Sequence, residues 1–68
     1  MNWKLIFKTQ IAHHAEIVRA ILDKNQIENV LLNKQDSSYL NFGNWEVYVS
    51  KNKILKAIKI IQDEVVFE

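Results

Sequence analysis

Two short strand-like runs, an apolar one at residues 27–32 without clean alternation and one of period two at 45–49, flank a polar stretch at 33–44, and each has a segment of helical period on its outer side. This exchange of periods limits the possible folds more than any other feature of the chain. A strand returns to the same face every two residues and a helix about every 3.6, so one pattern cannot sit in place of the other. Ahead of the first helical segment, Trp3, Lys4, Leu5, Ile6, Phe7 and Lys8 alternate as well, with Trp3, Leu5 and Phe7 on one face. Behind the second, Val65, Val66 and Phe67 form a short apolar run that reads as a last strand. The order is therefore β-α-β-β-α-β. It predicts one α+β domain over residues 1–68, with a ferredoxin-like, four-stranded antiparallel sheet and two helices on one face. The first and third strands are expected at its centre, with Trp3, Leu5, Phe7, Val47 and Val49 under the helices.

The first helical segment places Ile11, Ala15, Val18 and Leu22 on one stripe, with Ile21 beside it and Ile17 at its edge. Glu16, Arg19 and Asp23 fall opposite. Thr9 is the expected cap at its start, and Asn25, after Lys24, a left-handed stop. In the second, Ile54, Ala57, Ile58 and Ile61 make the buried stripe, and Ser50 or Asn52 is the expected cap. Lys56, Lys59 and Asp63 face away.

Sixty-eight residues make one small domain. With 49% hydrophobic and 25% charged residues the chain can build a core. It has no cysteine and no proline, and its one glycine is Gly43. Neither a disulfide nor a thiolate metal site can brace it, so the core, helped by self-association, must hold the fold. The absence of cysteine fits a cytoplasmic protein. A net charge of +1 generates no strong field for nucleic acid or an anionic membrane. The first eight residues contain no signal-peptide core, and no apolar run approaches the ~20 residues that span a bilayer. A membrane is therefore not an expected partner.

The polar stretch holds the best site candidates. Asn33, Lys34, Asp36, Ser37, Ser38 and Tyr39 concentrate hydrogen-bonding groups at a strand end, where loops often carry function. Lys34 suits an anion, and Asn33, Ser37 and Ser38 supply directional bonds. The plainer reading is that Asp36 and the serines make local turns while Tyr39 anchors the loop. His13 and His14 are adjacent, so on a helix they diverge by about 100° and do not grip one ion; no metal site is expected. Lys51, Lys53, Lys56 and Lys59 make the second helix basic. RNA binding through Lys4, Lys8 and Tyr48 on the open sheet face is the alternative reading, weakened by Glu46 beside Tyr48. A face carrying Ile6, Leu31 and Tyr48 is apolar enough for a homodimer seam. No nucleophile elbow, phosphate-binding glycine loop or zinc-protease motif occurs, so an enzyme is not expected.

Ala15, Glu16, Ile17 and Val18 with Leu22, then Ile27, then Asn33, Lys34, Asp36, Ser37, Ser38 and Tyr39, then Val47, Tyr48, Val49 and Ala57, together resemble a small bacterial domain family. That family, of unknown function, is described as a prokaryotic signal-transducing protein family of ferredoxin-like fold, compared with the PII nitrogen-regulatory proteins. The resemblance covers nearly the whole chain. It implies a non-enzymatic regulatory module that binds a partner protein or a small ligand. True PII proteins carry a long nucleotide-linked loop between the second and third strands, and residues 33–44 are too short and glycine-poor to match it. No nucleotide or other cofactor is therefore expected.

Overall fold

The computed structural model describes residues 2–35 and 43–66. The chain runs through β1 (Trp3–Thr9), α1 (Ala12–Lys24), β2 (Asn29–Gln35), β3 (Gly43–Ser50), a single 3₁₀ turn (Lys51–Lys53) and α2 (Ile54–Glu64). The sheet order is β1-β3-β2, with both pairings antiparallel. β3 is thus the central strand, and β1 lies at an edge of the described sheet. Both helices pack on the sheet and on each other. The molecule is 14 Å through its thinnest direction, the depth of one sheet and one helix layer.

The polar stretch contributes more strand than its composition suggests. Asn33, Lys34, Gln35, Gly43 and Asn44 all pair in the β2–β3 ladder, so the hairpin extends well past Leu32. β2 begins at Asn29 and not at Ile27. Ile27 is instead fully buried at the end of the preceding turn.

β1 carries a register shift between Leu5 and Phe7. Leu5 lies opposite Tyr48 and Phe7 opposite Val47, leaving Ile6 as the extra residue. The shift reverses the facing of everything before it. Ile6 and Phe7 both pack against the core, whereas Trp3 and Leu5 align with Ser50 and Tyr48 on the open side of the sheet. The expectation that Trp3 and Leu5 lie under the helices is therefore wrong. Val47 and Val49 do face the helices and are fully buried.

Three strands, not four, form the sheet among the described residues. Val65 is extended (φ −88°, ψ 124°) but, like Val66, belongs to no strand among the described residues; Phe67 lies outside the described residues. The Val65 amide is spent on the helix, donating to the Ile61 carbonyl at 3.0 Å. α2 ends beside the last turn of α1: Lys24 Nζ lies 3.6 Å from Glu64 Oε1, and Asn25 Nδ2 donates to Glu64 Oε2 at 3.3 Å.

The core comprises Ala15, Val18, Leu22, Ile27, Val47, Val49 and Ala57. Ile54, Ile60 and Ile61 pack against it from α2, but Ile58 and Ile11, expected in the buried stripes, are exposed. Thr9 is not the helix cap. Its Oγ1 accepts from the Ile11 amide at 3.0 Å and turns the chain one step earlier. Ser50 does cap, accepting from the Asn52 amide at the 3₁₀ turn that leads into α2.

α1 ends in a Schellman motif. The Ile27 amide donates to the Leu22 carbonyl at 2.9 Å and the Gln26 amide to the Asp23 carbonyl at 3.0 Å, while Leu22 and Ile27 are buried together. The left-handed residue is Gln26 (φ 62°), not Asn25 (φ −92°). Asn25 contributes through its side chain, whose Nδ2 donates to the Ile21 carbonyl at 2.8 Å. A residue with a Cβ in this conformation costs about 1–2 kcal/mol, and glycine regains about 0.5–1 kcal/mol of unfolded-chain entropy. Gln26→Gly is expected to raise stability by roughly 0.5–1 kcal/mol, seen as a higher midpoint in urea unfolding.

Candidate functional site

The period of two in β3 sends Trp45, Val47 and Val49 toward the helices and Asn44, Glu46, Tyr48 and Ser50 to the open face. Cross-strand neighbours complete that face. Leu5 and Val30 flank Tyr48, and Lys8 and Leu32 flank Glu46. Lys34, beside Asn44, closes one end and Trp3, beside Ser50, the other.

At its centre lies a built polar set. The Tyr48 hydroxyl donates to Glu46 Oε1 at 2.7 Å, and Lys34 Nζ lies 3.5 Å from the same oxygen. Glu46 is only 7% exposed, the one charged residue of the described chain that its neighbours cover so fully. A carboxylate so covered must be paired to be tolerated. The hydrogen bond from Tyr48, ahead of the Lys34 and Lys8 charges, holds its pKa below the ordinary value against the opposing effect of desolvation. The same bond, with desolvation, pushes the Tyr48 phenol above its ordinary value. Both shifts move away from neutrality, as expected of a carboxylate held by a neutral phenol donor.

The depressed Glu46 contributes stability that is present above its unfolded-state pKa and lost as pH falls through its lower folded value. The raised Tyr48 contributes stability present below its unfolded value and lost as pH rises through its higher folded one. Tyr48→Phe removes the donor. Its expected result is a Glu46 carboxyl that titrates at higher pH by NMR, with the alkaline loss of stability due to Tyr48 abolished.

The expected site residues divide. Asn33 and Lys34 are consecutive in β2 and project from opposite faces, Asn33 beside Trp45 on the helix side. They do not converge on one anion, and Lys34 is already paired with Glu46. Asp36, Ser37, Ser38 and Tyr39 lie outside the described residues. Lys4, Lys8 and Tyr48 do not form one RNA-facing set: Lys4 aligns with Val49 on the helix side, and Glu46 sits between Lys8 and Tyr48. Ile6 and Leu31, expected on the open face, pack against the core instead. His13 is exposed and His14 half-buried, and no group of three metal-ligating residues occurs among the described residues. No helix among them is long and apolar enough to cross a membrane. Glu46 was not among the expected site residues. The signal for it was its i,i+2 spacing to Tyr48, which on a strand puts both side chains on one face.

No known protein-family model matches this chain, and neither the curated proteins nor the solved structures contain a match to it.

Proposed function

We propose that this protein is a small, non-enzymatic interaction module that binds a partner protein through the open face of its sheet. The supporting observation is the exposure of Leu5 (46%) and Leu32 (40%) on that face, on either side of the ordered Lys34, Glu46 and Tyr48. With Val30 and Trp3 they form one apolar surface rimmed by charge, the character of a protein contact site. The paired Glu46 fixes the middle of the face in advance, which lowers the ordering cost of binding. The strand order β1-β3-β2 and the placement of both helices on one side support a ferredoxin-like architecture. A regulatory role in bacterial signal transduction is what the resemblance carried by Ala15 to Val18, Asn33, Lys34 and residues 47–49 suggests.

The test is affinity capture from a bacterial lysate with wild type and with Leu5→Lys/Leu32→Lys, both checked for folding by circular dichroism. Both leucines are exposed, so the double variant is expected to fold. Proteins retained by wild type and lost by the variant support the reading. Identical recovery by the two overturns it. If the retained species is a second copy of this chain, the face is a homodimer seam.

A further inference from the structure

The open sheet face leaves unexplained a second surface, on α2. At about 100° per residue, Ile54, Ala57, Ile60 and Ile61 define the face turned to the core. Leu55 then lies on the opposite arc, beside Lys59 at its middle, and is 84% exposed. Ile58, 38% exposed, lies on one side of it and Lys59 on the other. Lys51, one turn before, and Lys56 complete the surround, and both are exposed. From Val49 to Gln62 the chain has four lysines and no acidic residue. None of the four is in an ion pair among the described residues. Of the two acidic residues that end the helix, Glu64 is drawn away to Lys24 and Asn25, leaving Asp63, one turn after Lys59, as the one acidic side chain on the arc.

We infer that this arc is a docking surface for an anionic lipid bilayer, on which the protein lies without crossing. Charge complementarity fixes the sign of the partner: on the arc the exposed Lys51, Lys56 and Lys59 outnumber the single Asp63. The shape favours a broad surface over a small ligand, because the outer side of a helix is a convex ridge, here about 22 Å long from the rises of 11 α-helical and three 3₁₀ residues. The three cations of the arc are lysines, point charges on flexible stems, which suit a diffuse charged surface better than a directional phosphate clamp. An outward leucine ringed by lysines gains from a lipid interface, where the apolar tip enters the headgroup boundary while the ammonium groups remain at the phosphates. Nucleic acid rewards the lysines but not the leucine. This surface departs from the expectation that no membrane partner exists, which rested on the lack of a spanning segment and the small net charge. It is also separate from the open sheet face, since the helices cover the other side of the sheet.

The experiment is co-sedimentation of the full chain with vesicles of pure phosphatidylcholine and vesicles rich in phosphatidylglycerol, at low and high salt. Wild type is expected to partition onto the anionic vesicles alone and to be released by salt. Lys56→Gln/Lys59→Gln is expected to lower partitioning about fivefold per lysine, and Leu55→Gln about tenfold. All three positions are exposed, so these variants keep the fold. Leu5→Lys/Leu32→Lys, which tests the sheet face, should not reduce vesicle binding. No sedimentation with anionic vesicles at low salt overturns the inference. So does binding to a polyanion such as heparin that equals vesicle binding and is untouched by Leu55→Gln, which would make the arc a nucleic-acid surface. Retention on an immobilised acidic amphipathic peptide without vesicle binding overturns it in favour of a protein partner.

Discussion

Leu22→Ala is expected to remove about 2–5 kcal/mol of folding free energy. Leu22 is fully buried on the inner stripe of α1, in one cluster with Val18, Ile27, Val47 and Val49. Truncation removes the apolar transfer energy and leaves a cavity that the surrounding strands fill only in part. It also strips the Schellman motif of its apolar contact with Ile27. A chain of this length commands only about 3–10 kcal/mol in total, with no disulfide to compensate. The variant should therefore be partly unfolded at room temperature, read as a collapse of the urea midpoint. A loss below about 1 kcal/mol would show that the α1–sheet contact is not the core of the fold.

Ala57→Leu is the second large expected loss, about 1–3 kcal/mol or more. Ala57 is the one α2 residue with no exposure at all, and it joins the same cluster as Val47 and Val49. Its single methyl sets how closely α2 approaches the sheet. Three further heavy atoms cannot be housed without off-rotamer side chains or a displaced helix. By contrast, Leu55→Ala on the opposite side of the same helix, 84% exposed, should leave stability within about 0.5 kcal/mol of wild type. The two substitutions thus report which way α2 faces. Comparable losses at both positions, measured by thermal or urea unfolding, would contradict the packing described here.

Periodicity shows α1, α2 and β3 because each has one buried face, and a buried face leaves its spacing in the sequence. β1 is less legible. Trp3, Leu5 and Phe7 alternate cleanly, but the bulge at Ile6 puts Trp3 and Leu5 on the other side from Phe7. The trace it leaves is two bulky apolar residues in succession, Ile6 and Phe7, both of which pack on the core. The hairpin end misleads for another reason. Asn33, Lys34 and Asn44 have loop-like composition, yet the ladder with β3 satisfies their backbone groups and one face of the sheet is open to water, so polar residues fit there. The run of Val65 and Val66 is apolar enough for a strand, but strand formation also needs free backbone donors beside a partner edge, and the Val65 amide still closes the helix on the Ile61 carbonyl.

The site follows the same logic. Lys34 is legible as a candidate, but its partner is not the neighbouring Asn33. It is Glu46, far along the chain and brought close by the β2–β3 register. Two residues joined only by cross-strand pairing leave no local spacing to read. Tyr48 is visible as the aromatic of the open face; that its hydroxyl is engaged by Glu46 at 2.7 Å, and so is not free for a ligand, emerges only from the coordinates.

The open sheet face as the contact surface is the central claim, and site-specific photo-crosslinking in living cells tests it most directly. A photoreactive residue replaces Leu32 on that face in one strain and exposed Ala20 on α1 in another. The account predicts a discrete crosslinked protein adduct from position 32, lost when Leu5 is also changed to Lys, and none from position 20. An adduct from position 20 with none from position 32 would contradict it.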